Sequence, residues 1–163
     1  GPKYNLSQTR RYAGIMDALS EANVPVSNVR QIDYHTVFGS PVPSTSSYKS
    51  YEELFFPVDY TAVIGFNDLQ SYSAMEILKE RGYRIPEDIS LISFDHLRKT
   101  HTYLPPLTSI ADNTDKSIAD TAVSILLDKI KNSDSKFTGA VLPVTIYDGH
   151  TTGPVNKAFE TSF

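Results

Sequence analysis

With 163 residues, 40% of them hydrophobic and 21% charged, the chain is long enough to bury one good core and has the composition of an ordinary globular domain. Its net charge of -4, with acids and bases interspersed, lacks the basic excess of a nucleic-acid-binding domain, so the chain by itself is not expected to hold DNA or RNA. The absence of cysteine excludes disulfides, a thiolate nucleophile and a Cys-based zinc site, and suits a cytosolic protein.

In chain order, the opening Gly1-Pro2 reads as a scar of protease cleavage, which would make the chain an excised piece. No secretory h-region follows, no apolar run reaches the length of a membrane span, and the sequon Asn5-Leu6-Ser7 stands alone. Ser7 is a candidate N-cap for a helix reaching about Ala22, in which Tyr12, Ile15, Met16 and Leu19 share one face. Val29 to Tyr34 reads as a short strand, residues 38–50 as a loop rich in Ser, Pro and Gly, and residues 51–56 as a short helix. The apolar run 61–66 has the character of a strand covered on both faces. A helix follows from Asn67 or Asp68, either of which can cap it, turns Ala74, Met75, Ile77 and Leu78 inward, and stops at Gly82. A Pro86 turn leads into a second buried strand, Ile89 to Phe94, so that strand, helix and strand form a right-handed crossover in a parallel α/β sheet. Leu104-Pro105-Pro106-Leu107 is stiff and extended. A helix over about 114–131 collects Ile118, Ala122, Ile125, Leu126 and Ile130 for burial. In the last strand, 140–147, Pro143 points to an edge position or a bulge, and the tail beyond Thr152 reads as poorly ordered.

Both strands of the crossover end on a polar residue, Asn67 and Asp95, at the carboxyl edge where open parallel sheets bind ligands. Helix capping alone accounts for Asn67 as well as a ligand does. Asp95 is less easily explained, since a carboxylate ending an apolar strand must be solvated, paired or bonded to a ligand. Arg11, in the first turn of its helix, opposes the macrodipole and needs another use for its guanidinium. A polyol supplies one, because adjacent hydroxyls are bound by planar groups such as Asp, Asn and Arg. The four histidines, His35, His96, His101 and His150, make no metal-binding spacing, and no GxSxG elbow, P-loop or GxGxxG occurs, which argues against an enzyme. Asp95 and His96 are adjacent at a strand end and should point to opposite faces, so they do not form an acid–base pair.

The stretch TAVIGFNDLQSYSAMEILKERGYRIPEDISLISFDH resembles the effector-binding core of the LacI/GalR family of bacterial transcription regulators, whose pattern is an apolar strand ending in Asn-Asp, a helix, and a Pro turn before a strand ending in Phe-Asp. Arg11-Tyr12-Ala13-Gly14-Ile15, Tyr103-Leu104-Pro105-Pro106-Leu107-Thr108-Ser109-Ile110, and Leu142-Pro143 through Thr151-Thr152 match further family segments in order. The resemblance implies the C-terminal lobe of a two-lobed, periplasmic-binding-protein-like fold: residues 1–109 in that lobe, 110–137 crossing to an N-terminal lobe that the chain lacks, 138–153 returning as the closing strand, and 154–163 as a tail. It implies a sugar or sugar-like effector, bound in the cytoplasm by a homodimer without a cofactor, that controls DNA binding by an absent helix-turn-helix headpiece. A fragment of an extracytoplasmic sugar-binding protein of a transporter is the alternative.

Carried over residue by residue, the hydroxyl-binding groups are Arg11, Asn67 and Asp95, with Ser7 and Asp112 as further candidates and Tyr34 or Phe38 as the ring-stacking aromatic. Tyr72 and Tyr103 fall in the family's dimer interface. The sequence departs from the family pattern at Ser93, where glycine is usual, at Gly149, where arginine is usual, at Ile118, again in place of a glycine, and at Asp112, where glutamine is common. Without its lobe, the helix carrying Ile118, Ile125, Leu126 and Ile130 is expected to fold back for cover or to swap into a neighbouring chain.

Overall fold

A four-stranded sheet organises this computed structural model, which describes residues 6–32, 53–97, 101, 104–112, 117–132 and 139–156. Its strands, β1 (Ala62–Ile64), β2 (Ser90–Phe94), β3 (Thr108–Asp112) and β4 (Val144–Tyr147), lie side by side in chain order. The first three are parallel, and β4 closes the sheet antiparallel to β3, with Ile110 opposite Ile146. The α/β architecture is therefore the one the hydrophobic pattern predicts, and the parallel strands bring their carboxyl ends to one edge.

Between β1 and β2 runs α2 (Asp68–Glu80), for which the local chemistry is complete. Asn67, extended at φ -152°, caps it by accepting the Gln70 N–H at 2.9 Å. At the other end Gly82 takes φ +86°, a left-handed conformation that carries no Cβ penalty in glycine. The inward face of α2 buries Ala74, Met75, Ile77 and Leu78. Ile77 and Met75 join Phe55, Leu91 and Leu107 in one core cluster. Each such side chain contributes roughly 1.5–3 kcal/mol when fully removed from water.

Beyond β4 the chain folds back along the sheet. Thr151 donates its hydroxyl to Leu91 O at 2.7 Å and accepts the Thr108 N–H at 2.9 Å, while the Leu91 N–H returns to Thr151 O at 2.7 Å. Gly149 sits so close to Leu107 that a Cβ built on it lies 2.2 Å from the Leu107 carbonyl carbon. The arginine usual at this position therefore has no room here. Ser90 Oγ bonds Gly153, and Asn156 Nδ2 donates to Asp88 at 3.1 Å, so the tail is held as far as Asn156 rather than loose after Thr152.

Several expectations are corrected. Helix α1 spans Leu6–Glu21, so Ser7 lies inside its first turn and is not the cap. The same boundary puts Arg11 in the second turn, where the macrodipole has little hold on it. In place of a strand from Val29, a 3-10 turn over Val26–Asn28 leads into extended chain that pairs with no strand among the described residues; residues 33 and 34 lie outside them. Of the short helix over 51–56, Glu53 is helical and the chain turns at 54 and 55, with Phe56 N–H on Glu53 O at 3.2 Å; residues 51 and 52 lie outside the described residues. Among the described residues β1 stands at the sheet's edge, and the face that carries Ile64, 45% exposed, is not covered. The apolar residues of α3 (Ile118–Lys131) are not buried, with Ile118, Leu126 and Ile130 all more than half exposed, because no described element packs on that helix. Among the described residues no element folds back to cover it. β4 begins just after Pro143 and lies at an edge, as that proline dictates.

The turn before β2 is fastened by Arg84, which donates from Nε and Nη2 to the two oxygens of Asp88 at 2.9 and 2.7 Å and from its backbone N–H at 2.8 Å. These bonds hold the Asp88 carboxyl well below the usual carboxylate range, the Arg84 side chain first and its backbone N–H next. A lowered folded-state value means stability that is present above the ordinary carboxylate value and lost as pH falls. Urea titrations below pH 5 should therefore show stability declining with acid, and Asp88→Asn should flatten that decline; an unchanged slope would contradict the assignment.

Candidate functional site

The carboxyl edge of the sheet is built around the first turn of α2. Asn67 uses its Oδ1 as the helix cap, so Asp68 is not needed for that role. Asp68 is instead 1% exposed, and its carboxylate reaches away from its own helix. Oδ1 accepts the Ser109 hydroxyl at 2.7 Å, and Oδ2 accepts the Leu97 N–H at 2.6 Å. Ser109 Oγ in turn accepts the His96 N–H at 2.9 Å. A buried carboxylate is tolerable only when it is hydrogen-bonded, and the N-terminal end of α2 adds a favourable field.

A second polar pair lies beside it. Ser71 Oγ stands 3.0 Å from Asn67 O and 2.7 Å from Ser93 Oγ, both serines being fully buried. A Cβ on Gly65 would fall 1.7 Å from Ser71 Oγ, so glycine at 65 makes the space that this hydroxyl fills. Ser93, a departure from the family pattern, thus comes with its own partner on the helix above it.

Past β2 the chain turns sharply. Asp95 has φ +97° and His96 φ +48°, conformations that cost non-glycine residues of order 1–3 kcal/mol each and persist where surrounding bonds impose them. The imposed bonds are Asp95 N–H to Ile110 O at 2.9 Å and the inward N–H groups of His96 and Leu97. The two side chains part, as expected. His96 stacks on Tyr147 with ring centroids 3.9 Å apart, and Asp95 meets Arg11.

Arg11 comes to the edge from α1. Its Nη2 donates to Asp95 Oδ1 at 2.7 Å and its Nη1 to Phe66 O at 2.6 Å, while its guanidinium carbon lies 5.0 Å from the Phe66 ring centre and 4.7 Å from that of Phe94. The guanidinium is held by two aromatic rings and two acceptors, using two of its five N–H donors on them. Ser93 faces α2 and alternation turns Phe94 to the opposite face, so α1 approaches from the side away from α2.

Of the sequence-predicted residues, the structure brings Arg11 and Asp95 into direct contact and sets Asn67 next to Phe66, whose carbonyl Arg11 binds. Ser7 is exposed, one turn before Arg11 on the same face of α1. Asp112 ends β3 at the same sheet edge, but its Oδ2 accepts the Ile118 N–H at 2.9 Å and its carbonyl the Tyr147 hydroxyl at 3.0 Å. Tyr72 is buried, with its hydroxyl on Pro105 O at 2.9 Å. Tyr34, Phe38 and Tyr103 lie outside the described residues. Sequence reasoning missed Asp68, Ser109 and the two aromatic rings that hold Arg11. The available signal was the doubled Asn67-Asp68, since one residue suffices to cap a helix. Among the described residues no three His, Cys, Asp or Glu side chains converge as metal ligands.

The comparisons with known proteins agree with this geometry. The signature of the periplasmic binding protein-like domain matches residues 2–152, and the chain belongs to that family, in its LacI/GalR form. It is 37% identical over 123 residues to the HTH-type transcriptional repressor PurR of Aliivibrio salmonicida, covering 75% of this chain and 35% of that protein. To PurR of Mannheimia succiniciproducens it is 30% identical over 128 residues, or 78% of this chain and 36% of that protein. A LacI family regulator from Enterococcus faecium, solved with bound ribose, superposes with TM-score 0.68 at 25% identity, covering 91% of this chain and 52% of that one. The chain thus spans about a third of the repressors' length.

Asp95 remains 43% exposed and Arg11 27% exposed, so their ion pair is worth only about 0.2–1 kcal/mol to the fold. A double-mutant cycle with Arg11→Ala and Asp95→Ala, read by urea denaturation, should give a coupling in that range. A coupling above about 2 kcal/mol would mark the pair as a structural fastening rather than a solvent-facing binding group.

Proposed function

We propose that the chain is the C-terminal lobe of the effector-binding region of a LacI-type transcription regulator, and that a sugar or sugar-like effector sits on the Arg11–Asp95 edge. The observation that carries this reading is the pair itself: a planar donor and a planar acceptor 2.7 Å apart, partly open to solvent, at the carboxyl edge of a parallel sheet. A carboxylate accepts from one hydroxyl of a diol while the guanidinium donates to its neighbour, and the Nδ2 hydrogens of Asn67 supply a third contact. Ser7 flanks Arg11 on α1, Tyr34 or Phe38 is our choice for the stacking ring, and Asp112 takes a secondary role because its carboxylate already serves α3. The bound ribose of the Enterococcus faecium regulator supports a small polyol as the ligand class.

The division of the chain follows the same reading. Residues 1–109 and 138–153 form the lobe, and 110–137 cross to a second lobe on which the open apolar stripe of α3 packs. The protein works in the cytoplasm as a homodimer to which Tyr103 contributes, Tyr72 being buried in the lobe's own core; it performs no chemistry, and reaches DNA only through a helix-turn-helix headpiece elsewhere in the polypeptide. Closure of two lobes on the effector shifts the headpieces between binding-competent and incompetent spacings, by differential affinity for the two states. The relatives named above are repressors and a regulator, which lends no support to the transporter alternative.

A thermal-shift screen of the full-length protein against pentoses, hexoses and their phosphates tests this. A true effector at a hundredfold excess over its Kd adds about 2.7 kcal/mol of stability, and Asp95→Ala or Arg11→Ala should abolish most of the resulting Tm rise. Response to no member of the panel, or an undiminished response in both variants, would contradict the assignment.

A further inference from the structure

We infer that Asp68 is a positioning residue of this site: its buried carboxylate holds the left-handed turn that delivers Asp95 to Arg11. The inference deepens the functional reading above and rests on it for the word site. Nothing in α2 requires the carboxylate, because Asn67 already caps the helix. Its two oxygens are spent on groups 29 and 41 residues further along the chain, Leu97 N–H and the Ser109 hydroxyl. Through Ser109 Oγ the second oxygen also governs the His96 N–H.

Two consecutive amides, those of His96 and Leu97, are therefore turned inward toward one anion, directly at Leu97 and through a hydroxyl relay at His96. With both amides pointed inward and the Asp95 N–H fixed on Ile110 O, the backbone at 95 and 96 takes positive φ, and the Asp95 side chain leaves on the face where Arg11 waits. An asparagine at 68 keeps one acceptor but sets an NH2 group against a donor. An alanine removes the acceptor of the Leu97 N–H and of the Ser109 hydroxyl, so the Ser109 Oγ that holds the His96 N–H loses its own anchor.

The test is residue-resolved amide exchange on the intact chain, together with ribose titration of the full-length protein, for wild type, Asp68→Asn, Asp68→Ala and Ser109→Ala. In Asp68→Ala, exchange at both His96 and Leu97 should rise at least about tenfold relative to the Ile77 and Leu78 amides, and in Ser109→Ala the rise should be confined to His96. Asp68→Asn should fall between wild type and alanine, and carries the measurement together with Ser109→Ala if Asp68→Ala does not fold. The Asp95 amide should keep its protection in Ser109→Ala, since its acceptor is Ile110. Ribose affinity should fall about tenfold or more in whichever Asp68 variant loosens the turn. Exchange that rises uniformly over α2 and the turn would make Asp68 an ordinary stability residue and overturn the inference. If wild type binds no ribose, the functional reading loses its probe, while the exchange pattern still decides whether Asp68 sets the turn.

Discussion

A carboxylate that is 1% exposed dictates what surrounds it, and in this fold that carboxylate is Asp68. Leaving it without hydrogen bonds would cost several kcal/mol, so the chain supplies a hydroxyl from β3 and an amide from the turn after β2. Three segments far apart in sequence thereby meet at one point: the end of β1 with the start of α2, the turn at 95–97, and the start of β3. The other features of the edge follow. The turn takes left-handed backbone, Asp95 emerges toward α1, and Arg11 is drawn between Phe66 and Phe94 to meet it.

The polar tier beneath the edge is unusual for a sheet–helix interface. Ser71, Ser93, Ser109 and Asp68 are all essentially buried where apolar residues would serve packing better. Each is bonded to another residue of the tier or to backbone, so the interface pays little in unsatisfied groups while gaining a fixed geometry. Hydrophobic packing does the holding lower down, where Ile77, Leu78, Ile89 and Leu91 are fully buried. The division is a physical one: apolar contacts tolerate small shifts, whereas hydrogen bonds of 2.6–2.7 Å do not.

The elements legible in the sequence were those specified by neighbours. The strand–helix–strand from 61 to 94 could be read because the apolar runs, the Asn67 cap and the Gly82 stop are all local signals. Asp95 could be singled out because a carboxylate ending an apolar strand is chemically out of place, whereas the first-turn argument for Arg11 rested on a helix boundary the structure corrects; their contact spans 84 residues and no local pattern carries it. Asp68 was misread as a possible cap for the same reason, its partners being 29 and 41 residues away. The helix α3 failed differently. Its periodicity correctly marked an apolar stripe, but periodicity says only which residues share a face and not whether any surface covers it. At β1 the apolar run suggested cover on both faces, but among the described residues the face that carries Ile64 stays open.

Where a ligand lands on this lobe decides the account most directly. Among the described residues the edge organised by Asp68 has a rival in a shallow cleft of about 300 Å³ between the end of α1 and the 3-10 turn, lined by Met16, Leu19, Asn23, Val24 and Val26. The decisive measurement is a map of backbone amide chemical-shift changes on titration with ribose. The account predicts that the largest changes cluster at Arg11, Asn67 and Asp95 through Leu97. Changes concentrated instead at residues 16–26, with the edge silent, would contradict it.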